Sequence, residues 1–215
     1  LDIRLSSEVV EVNTDRKLVI TASGERFHAR AIIVATGVRR RKLNIPGETE
    51  LQGKGIIESG SRDKEQVRGK TVAIIGGGDA ALENALILAD YAAKIYLIHR
   101  RDRFSARDEF VGPVRSGPRI ECLLKTAVTR IGGSESVEWV DVNRASGTDE
   151  RRLSVDRVLI RVGVEPNDEL IKGLDITDNG AHLPAVSAAN APFILMAGDV
   201  VNPVSMTIAT AAGEG

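Results

Sequence analysis

Three small residues in the middle of the chain have the spacing of a loop that binds a pyrophosphate. Gly76, Gly78 and Ala81 fit the pattern G-x-G-x-x-A. In this pattern the first glycine permits a tight turn, the second lets the backbone approach the pyrophosphate, and the small third residue lets a helix pack closely on a strand. The N–H groups and the positive dipole end of that helix then attract the phosphates. The expected cofactor-binding residues of this loop are Gly76, Gly77, Gly78, Asp79, Ala80 and Ala81.

A basic turn follows about 20 residues later, where an NAD-specific site usually carries an acidic residue for the ribose 2′-OH. The residues there are His99, Arg100 and Arg101. Two guanidinium groups suit the 2′-phosphate of NADP through charge-assisted hydrogen bonds, so the sequence predicts NADPH rather than NADH. His99 is expected to be structural, packing at the adenine or in the strand end. The alternative interpretation of 76–81 is a glycine-rich turn without a ligand, and that of 99–101 is a solvated basic turn.

A strand, a helix and a second strand must position these two groups. The hydrophobic pattern predicts a buried strand over 71–75, a helix over 82–91 and another buried strand over 94–99. Together they make a βαβ unit of about 30 residues, the minimum half of a dinucleotide-binding fold. Outside this unit the pattern predicts strands over 8–12, 17–21, 26–29 and 31–35, a short helix over 106–111, a meander over 128–131, 137–143 and 155–162, and a last strand over 193–197.

Composition excludes several other classes of protein. The 215 residues carry 29 Lys+Arg against 30 Asp+Glu, a net charge of −1, which argues against nucleic acid as a partner. The apolar runs are too short to span a bilayer, and no signal peptide is recognisable, so a cytoplasmic protein is expected. The single cysteine excludes an intramolecular disulfide, a cysteine-type zinc cluster and a redox-active cysteine pair within this chain. We predict no metal site and no catalytic acid, base or nucleophile.

Six short segments in order carry a family resemblance that extends over nearly the whole chain. The chain resembles the thioredoxin-reductase-like branch of the pyridine-nucleotide flavoprotein oxidoreductases. The segments are Ala35-Thr36-Gly37, Ile45-Pro46-Gly47-Glu48, Gly76-Gly77-Gly78-Asp79-Ala80-Ala81, Leu97-Ile98-His99-Arg100-Arg101-Asp102, Gly163-Val164-Glu165-Pro166-Asn167 and Ala197-Gly198-Asp199.

The resemblance implies an α/β, Rossmann-like flavoprotein with two domains, in which an NADPH domain is inserted into an FAD domain. It implies that the NADPH domain is complete here and the FAD domain partial, without its own glycine-rich βαβ unit. The chain is therefore expected to be a piece of a longer protein, inactive by itself, with FAD bound weakly or not at all. The expected boundaries are 1–47 for the first FAD part, 48–67 for a linker, 68–162 for the NADPH domain, 163–174 for a second linker and 175–215 for the truncated second FAD part.

The resemblance also implies roles for residues outside the glycine loop. Thr36 and Gly37 resemble a turn that passes near the flavin, and Gly198 and Asp199 resemble a motif whose aspartate bonds the ribityl chain of FAD. Arg100 and Arg101 resemble the pair that holds the 2′-phosphate of NADP. Many relatives have a third arginine at the position of Ser105, where a hydroxyl, or a displaced arginine at 103 or 107, is expected to replace it.

The cysteine pair of the thioredoxin reductases is the main departure from the family pattern. Ser59 and Arg62 stand at the positions of the two cysteines, and the sole thiol is Cys122, which is expected to be buried in a strand. The expected function is therefore transfer of hydride from NADPH to FAD and then directly to an acceptor. Ferredoxin, flavodoxin or a small molecule is expected as that acceptor, and a homodimer is left open.

Two alternative functions follow from the same departures. One is a non-catalytic NADP(H)-binding or regulatory relative. The other is a disulfide reductase whose thiols come from another part of the longer protein. The basic run from Arg39 to Lys42 is either a surface that steers an acidic electron-transfer partner or a solvated basic face.

Overall fold

The fold is described from a computed structural model of the chain, which places residues 2–144, 150–172, 186–188 and 191–201. The sequence also predicts a turn at 178–180 and the start of a helix at 205–215, and both segments lie outside the described residues. No helix in the described ranges is long and apolar enough to cross a membrane.

Sixteen strands and three α-helices lie in the described residues. The strands of the first third are β1 (Val9–Asn13), β2 (Leu18–Thr21), β3 (Arg26–His28), β4 (Ile32–Val34), β5 (Val38–Arg40) and β6 (Ile56–Ile57). Then come α1 (Gly60–Asp63), β7 (Thr71–Gly76), α2 (Asp79–Ala89), β8 (Lys94–Ile98), α3 (Asp108–Ser116) and β9 (Ile120–Leu123). The remaining strands are β10 (Thr126–Gly132), β11 (Trp139–Arg144), β12 (Glu150–Ser154), β13 (Arg157–Arg161), β14 (Val164–Pro166), β15 (Val186–Ala188) and β16 (Ala191–Met196).

The chain divides into two compact units. The first comprises residues 1–39 and 164–215, and the second comprises residues 40–163. These boundaries differ from those expected from the sequence, because the segment 48–67 packs inside the second unit. Leu51, Ile56 and Val67 are buried there, and β6 joins the sheet of that unit.

A five-stranded parallel sheet in the order β6-β13-β7-β8-β9 forms the centre of the second unit. The predicted βαβ unit is confirmed as β7, α2 and β8, with β7 and β8 paired in parallel from Thr71↔Lys94 to Ile75↔Ile98. Because side chains alternate along a strand, β7 sends Ile74 to one face and Ile75 to the other. The strands β7 and β8 end at the same edge of the sheet, so the glycine loop and the basic turn start side by side.

The two faces of this sheet are covered by different layers. On one face the buried residues Leu82, Ala85 and Leu88 of α2 pack against Ile74, while Val114 of α3 joins the same cluster. On the other face a three-stranded antiparallel sheet of β10, β11 and β12 covers Ile75 with residues that include Val140 and Leu153. Because layers cover both faces, β7 and β8 have continuous apolar runs, with Tyr96 of β8 only partly buried.

The third strand of the meander differs from its prediction. It was expected over 155–162, but that segment is β13, which pairs in parallel with β7 and lies in the middle of the sheet. The strand that pairs with β11 is β12, from Asn143↔Glu150 to Trp139↔Ser154. Its sequence, Glu-Arg-Arg-Leu-Ser, has one apolar residue, Leu153, because β12 is an exposed edge strand with one side chain in the core.

The first unit consists of small sheets. The three strands predicted at the start of the chain are confirmed as β1, β2 and β3, and the structure pairs them in an antiparallel sheet. β4 pairs in parallel with β16, from Ile32↔Ile194 to Val34↔Met196. The continuous apolar run over 31–35 predicts a strand that is covered on both faces, yet Ile33 of β4 is 66% exposed while Val34 is buried. β5 and β14 form a separate two-stranded sheet.

Candidate functional site

Position 76, the last of β7, requires glycine because of its backbone conformation and its close neighbours. Its φ of +151° lies in a region that favours glycine. A Cβ at this position would lie 2.1 Å from the backbone oxygen of Arg161 on β13 and 3.0 Å from the Cβ of Ala81. Ala81 is completely buried. The first glycine and the small third residue of the motif therefore let the strand, its neighbour and the helix approach closely.

Gly77 is required by the imidazole ring at the end of β8. A Cβ on Gly77 would lie 2.2 Å from Nδ1 of His99. His99 is 9% exposed, and its ring centroid lies 5.6 Å from that of Phe104. Its Nε2 is buried without a hydrogen-bond partner among the described residues. His99 thus packs between the glycine loop and the basic turn.

Gly78 differs from its two neighbours because nothing in the described residues requires glycine there. Its φ of −94° and ψ of 179° suit any residue, and among the described residues a Cβ would meet only Oγ of Ser105, at 3.8 Å. Gly78 is the N-cap of α2, and its carbonyl accepts hydrogen bonds from the N–H groups of Ala81 and Leu82. Within the described residues, the N–H groups of Gly78, Asp79 and Ala80 have no acceptor. This leaves three donors and an open approach at the helix N-terminus, which fits a phosphate group.

The basic turn next to this loop presents unpaired cations. Arg100, Arg101 and Arg103 are exposed, and none has an ion pair within the described part of the chain. The turn is held by its backbone, since the Arg101 carbonyl accepts from the N–H of Lys125 at 2.8 Å and the His99 carbonyl from that of Thr126 at 3.0 Å. The guanidinium groups are therefore free to bind an anion while their backbone stays fixed.

The segment after the basic turn is tied to the glycine loop. The N–H of Ser105 donates to the Gly77 carbonyl at 2.8 Å, and its Oγ donates to the same oxygen at 3.2 Å. Arg107 donates to the carboxylate of Asp79 from its backbone N–H at 2.8 Å and from Nε at 2.7 Å. These two hydrogen bonds lower the pKa of Asp79. Arg107 thereby compensates the negative charge of the Asp79 carboxylate at the helix N-terminus, a role that the sequence analysis did not predict.

Burial also sets the charge of His99. The pKa of His99 lies below its ordinary value because burial disfavours the imidazolium and because the charges of Arg101 and Arg100 repel it, against an opposing backbone hydrogen bond with Arg103. The ring is therefore neutral at neutral pH, so the positive charge of the turn comes from its arginines.

The residues expected near a flavin lie together in the first unit. Thr36 and Gly37 follow β4, and Gly198 and Asp199 follow β16, so both pairs lie at the carboxyl ends of adjacent parallel strands. That edge is where ligands bind in open α/β sheets. Gly37 and Gly198 have φ values of +65° and +78°, and Asp199 is half-buried.

Asn167 joins the first of these turns to a segment 131 residues away in sequence. Thr36 Oγ1 donates to the Asn167 carbonyl at 2.6 Å, and Asn167 Nδ2 donates to the Thr36 carbonyl at 2.9 Å. The N–H of Asn167 donates to the Gly37 carbonyl at 2.9 Å. Two of the segments that carried the resemblance are thus one hydrogen-bonded structure, although no role was predicted for Asn167.

Comparison with known proteins places this arrangement in a family. The family described as pyridine nucleotide-disulphide oxidoreductase matches residues 1–215. The chain belongs to the pyridine nucleotide-disulphide oxidoreductase family. It is therefore a member of a family of oxidoreductases, and the resemblance identified from the sequence is confirmed.

Individual members of the pyridine nucleotide-disulphide oxidoreductase family match most of the chain. It is 34% identical over 211 residues to a bifunctional thioredoxin reductase/thioredoxin of Mycobacterium leprae, covering 97% of this chain and 46% of that protein. It is 34% identical over 203 residues to a ferredoxin–NADP reductase of Thermus thermophilus, covering 91% and 60%. The thioredoxin reductase structure of Lactococcus lactis matches with a TM-score of 0.81 and 28% identity, covering 97% and 69%. The chain thus spans between about half and two thirds of these relatives.

This member of the pyridine nucleotide-disulphide oxidoreductase family has no cysteine pair in its 215 residues. Ser59 is the N-cap of α1, where its Oγ accepts from the N–H of Arg62 at 3.3 Å, and Arg62 pairs with Glu58 at 2.9 Å. Cys122 is half-buried in β9, and burial raises the pKa of its thiol. A buried thiol with a raised pKa is a poor nucleophile. The described residues also hold no group of three or more His, Cys, Asp or Glu side chains that could bind a metal.

Proposed function

We propose that the full-length protein is an NADPH-dependent flavoprotein oxidoreductase that passes electrons to an acceptor without a cysteine pair in this chain. The observation that supports it most strongly is the open helix N-terminus at Gly78 next to two guanidinium groups that follow the neighbouring strand and have no ion pair in the described residues. A pyrophosphate and a 2′-phosphate are separated in NADPH by one adenosine, and two anion sites at the ends of adjacent strands suit that arrangement. Family membership supports the same reaction class.

Each part of the proposed nucleotide site has a physical task. The three N–H groups at 78–80, which have no acceptor in the described residues, bind the pyrophosphate. The ion pair between Arg107 and the Asp79 carboxylate compensates the negative charge that would otherwise repel the pyrophosphate. Arg100 and Arg101 bind the 2′-phosphate. Ser105 acts mainly on the loop, since its Oγ already donates to the Gly77 carbonyl.

The proposed flavin contacts come from the first unit. Thr36 and Gly37 form one turn at the sheet edge, and Gly198 and Asp199 form the other, with the Asp199 carboxylate available to accept from a hydroxyl of the ribityl chain. When bound, NADPH supplies a hydride and FAD accepts it, so the chemistry belongs to the cofactors. The residues of this chain bind and orient them.

The proposed acceptor is reached directly from the flavin. A ferredoxin, a flavodoxin or a small molecule fits a chain whose cysteine positions carry a helix cap and an ion-paired arginine, Ser59 and Arg62. Within the basic run, Arg39 is compensated by Glu165 and Glu169, whereas the three cations that follow have no ion pair in the described residues. Only those three are proposed to steer an acidic partner.

A non-catalytic NADP(H)-binding relative is the second candidate, because the proposed nucleotide residues all lie in one unit, whereas the resemblance implies that only part of the FAD domain is present. The spectrum of the full-length protein distinguishes the two. A yellow protein whose flavin band bleaches on anaerobic addition of NADPH supports the oxidoreductase. A colourless protein that binds NADPH supports the second candidate, and a flavoprotein that NADPH does not reduce contradicts the proposed function.

A further inference from the structure

A cavity of about 360 Å³ lies beside β6, entirely within the second unit. Its apolar lining includes Ile56 and Ile57 of β6 and Ile160 of β13. Its polar lining includes three consecutive cations, Arg40, Arg41 and Lys42. We call this cavity, together with the Arg161 side chain beside it, the β6 pocket. None of its residues belongs to the glycine loop or to the basic turn after β8.

Two guanidinium groups converge on one oxygen at this pocket. Nη1 of Arg40 donates to the Glu58 carbonyl at 2.6 Å, and Nη2 of Arg161 donates to the same oxygen. One neutral carbonyl does not compensate two positive charges, which repel each other at this distance. Burial and the charge of Arg40 lower the pKa of Arg161 to about 10, against the smaller opposing effects of the Asp63 and Glu58 carboxylates. The convergence is therefore unfavourable unless an anion joins it.

The carboxylates near the pocket are already occupied. The Glu58 carboxylate pairs with Arg62 at 2.9 Å, and the Glu48 carboxylate accepts from the N–H groups of Leu43 and Asn44 at 3.1 and 2.7 Å. In the described ranges, no ion pair involves any of the four cations of the pocket, Arg40, Arg41, Lys42 and Arg161. The pocket thus holds an excess of positive charge next to an apolar lining.

We infer that the β6 pocket binds the phosphate group of a small molecule, held by Arg40 and Arg161. Planar guanidinium groups bind phosphate oxygens in pairs, and the cavity has room for the group and a small organic substituent. The phosphate has two chemical sources. Arg161 lies opposite Gly76 in the register of β13 and β7, so a phosphate of the dinucleotide is one source, and a separate phosphorylated small molecule is the other. The inference does not depend on flavin reduction.

Calorimetric titration of the full-length protein with inorganic phosphate tests the inference; pyrophosphate is unsuitable because the glycine loop is itself proposed to bind it. We expect saturable binding that Arg40→Gln and Arg161→Gln each weaken about ten-fold or more, the effect of losing a hydrogen bond to a charged group. Arg157→Gln is the matched control, because Arg157 lies on the same strand, is also half-buried and bonds a backbone carbonyl at the other end of β13. It should leave the affinity unchanged.

Two further measurements complete the test. Thermal unfolding shows whether each variant is folded, and Arg40→Gln keeps the test valid if Arg161→Gln is not, since Arg40 is exposed. Loss of the Arg40-dependent binding in saturating NADPH identifies the dinucleotide as the source, and its retention identifies a separate ligand. The inference is overturned if inorganic phosphate shows no Arg40-dependent binding, that is, if Arg40→Gln binds phosphate as tightly as Arg157→Gln does.

Discussion

The His99 ring lies against the Cα of Gly77, so closely that a Cβ on Gly77 would be 2.2 Å from Nδ1. The contact fixes the basic turn at the end of β8 to the glycine loop at the end of β7. Because buried side chains pack at crystal-like density, neither residue can shift without the other. The distance between the proposed pyrophosphate and 2′-phosphate sites is therefore set by packing.

The three glycines of the loop should respond differently to substitution. Gly78→Val should leave folding intact, because the site is open and its backbone angles suit any residue, but it should abolish NADPH binding by filling the approach to the helix N-terminus. Gly77→Ala should instead cost about 1–3 kcal/mol of stability, since its Cβ would overlap His99. Thermal unfolding and NADPH titration of both variants check this, and unchanged NADPH binding by Gly78→Val would refute the phosphate role of the loop.

The low pKa of His99 predicts a dependence of stability on pH. The unfolded chain binds a proton near pH 6.5, while the buried ring binds it at lower pH. His99 should therefore leave the free energy of unfolding unchanged above about pH 6.5. Below that pH it should lower the free energy of unfolding progressively, down to the folded-state pKa. Denaturant unfolding at several pH values should show this fall in the wild type and a smaller one in His99→Gln. Equal slopes in the two proteins would exclude a buried neutral imidazole.

The lowered pKa of Asp63 predicts a second dependence of stability on pH, in a more acidic range. Burial alone would raise the pKa of its carboxyl, but hydrogen bonds from the N–H groups of Ser59 and Glu58 and from Arg62 outweigh burial and lower it. A lowered pKa contributes stability above about pH 4 that is lost as the pH falls through the folded-state value. Asp63→Asn should cost about 1–3 kcal/mol at pH 7 and flatten the acid limb of the unfolding curve. Acid unfolding at the same midpoint in both proteins would contradict this.

The parts of the fold that the sequence predicted well are those whose hydrophobic pattern is set by burial on both faces. β7, α2 and β8 lie within a few residues of their predicted ranges for this reason. β12 was missed because an edge strand needs only one core residue, Leu153, and β13 was assigned to the meander because a buried apolar run does not reveal which sheet it joins.

The candidate site likewise has features that the sequence predicts and features that only the fold shows. The glycine spacing and the arginine pair are local patterns and could be read directly. The tie between Arg107 and Asp79 spans 28 residues, and that between Thr36 and Asn167 spans 131. Such contacts depend on the fold, and polar residues carry no periodic signal that would announce them.

The link between Thr36 and Asn167 should matter for flavin affinity more than for overall stability. Asn167→Ala removes the donor to the Thr36 carbonyl, a half-exposed hydrogen bond worth about 1 kcal/mol, so the melting temperature should fall only slightly. If the turn at Thr36 and Gly37 lies against the flavin, its loss of support should weaken FAD binding by the full-length protein several-fold. Flavin release during dialysis measures this, and full flavin retention by Asn167→Ala would count against the assignment of this turn.

The affinities of the full-length protein for NADPH and NADH, with and without Arg100 and Arg101, test the central claim most directly. Arg100→Gln combined with Arg101→Gln removes two charge-assisted partners of the 2′-phosphate, so the dissociation constant for NADPH should rise about 100-fold and that for NADH should change little. Arg119→Gln, an exposed arginine that precedes β9 at the opposite edge of the sheet, is the control. Equal losses for NADPH and NADH, or unchanged NADPH binding in the double variant, would contradict the account.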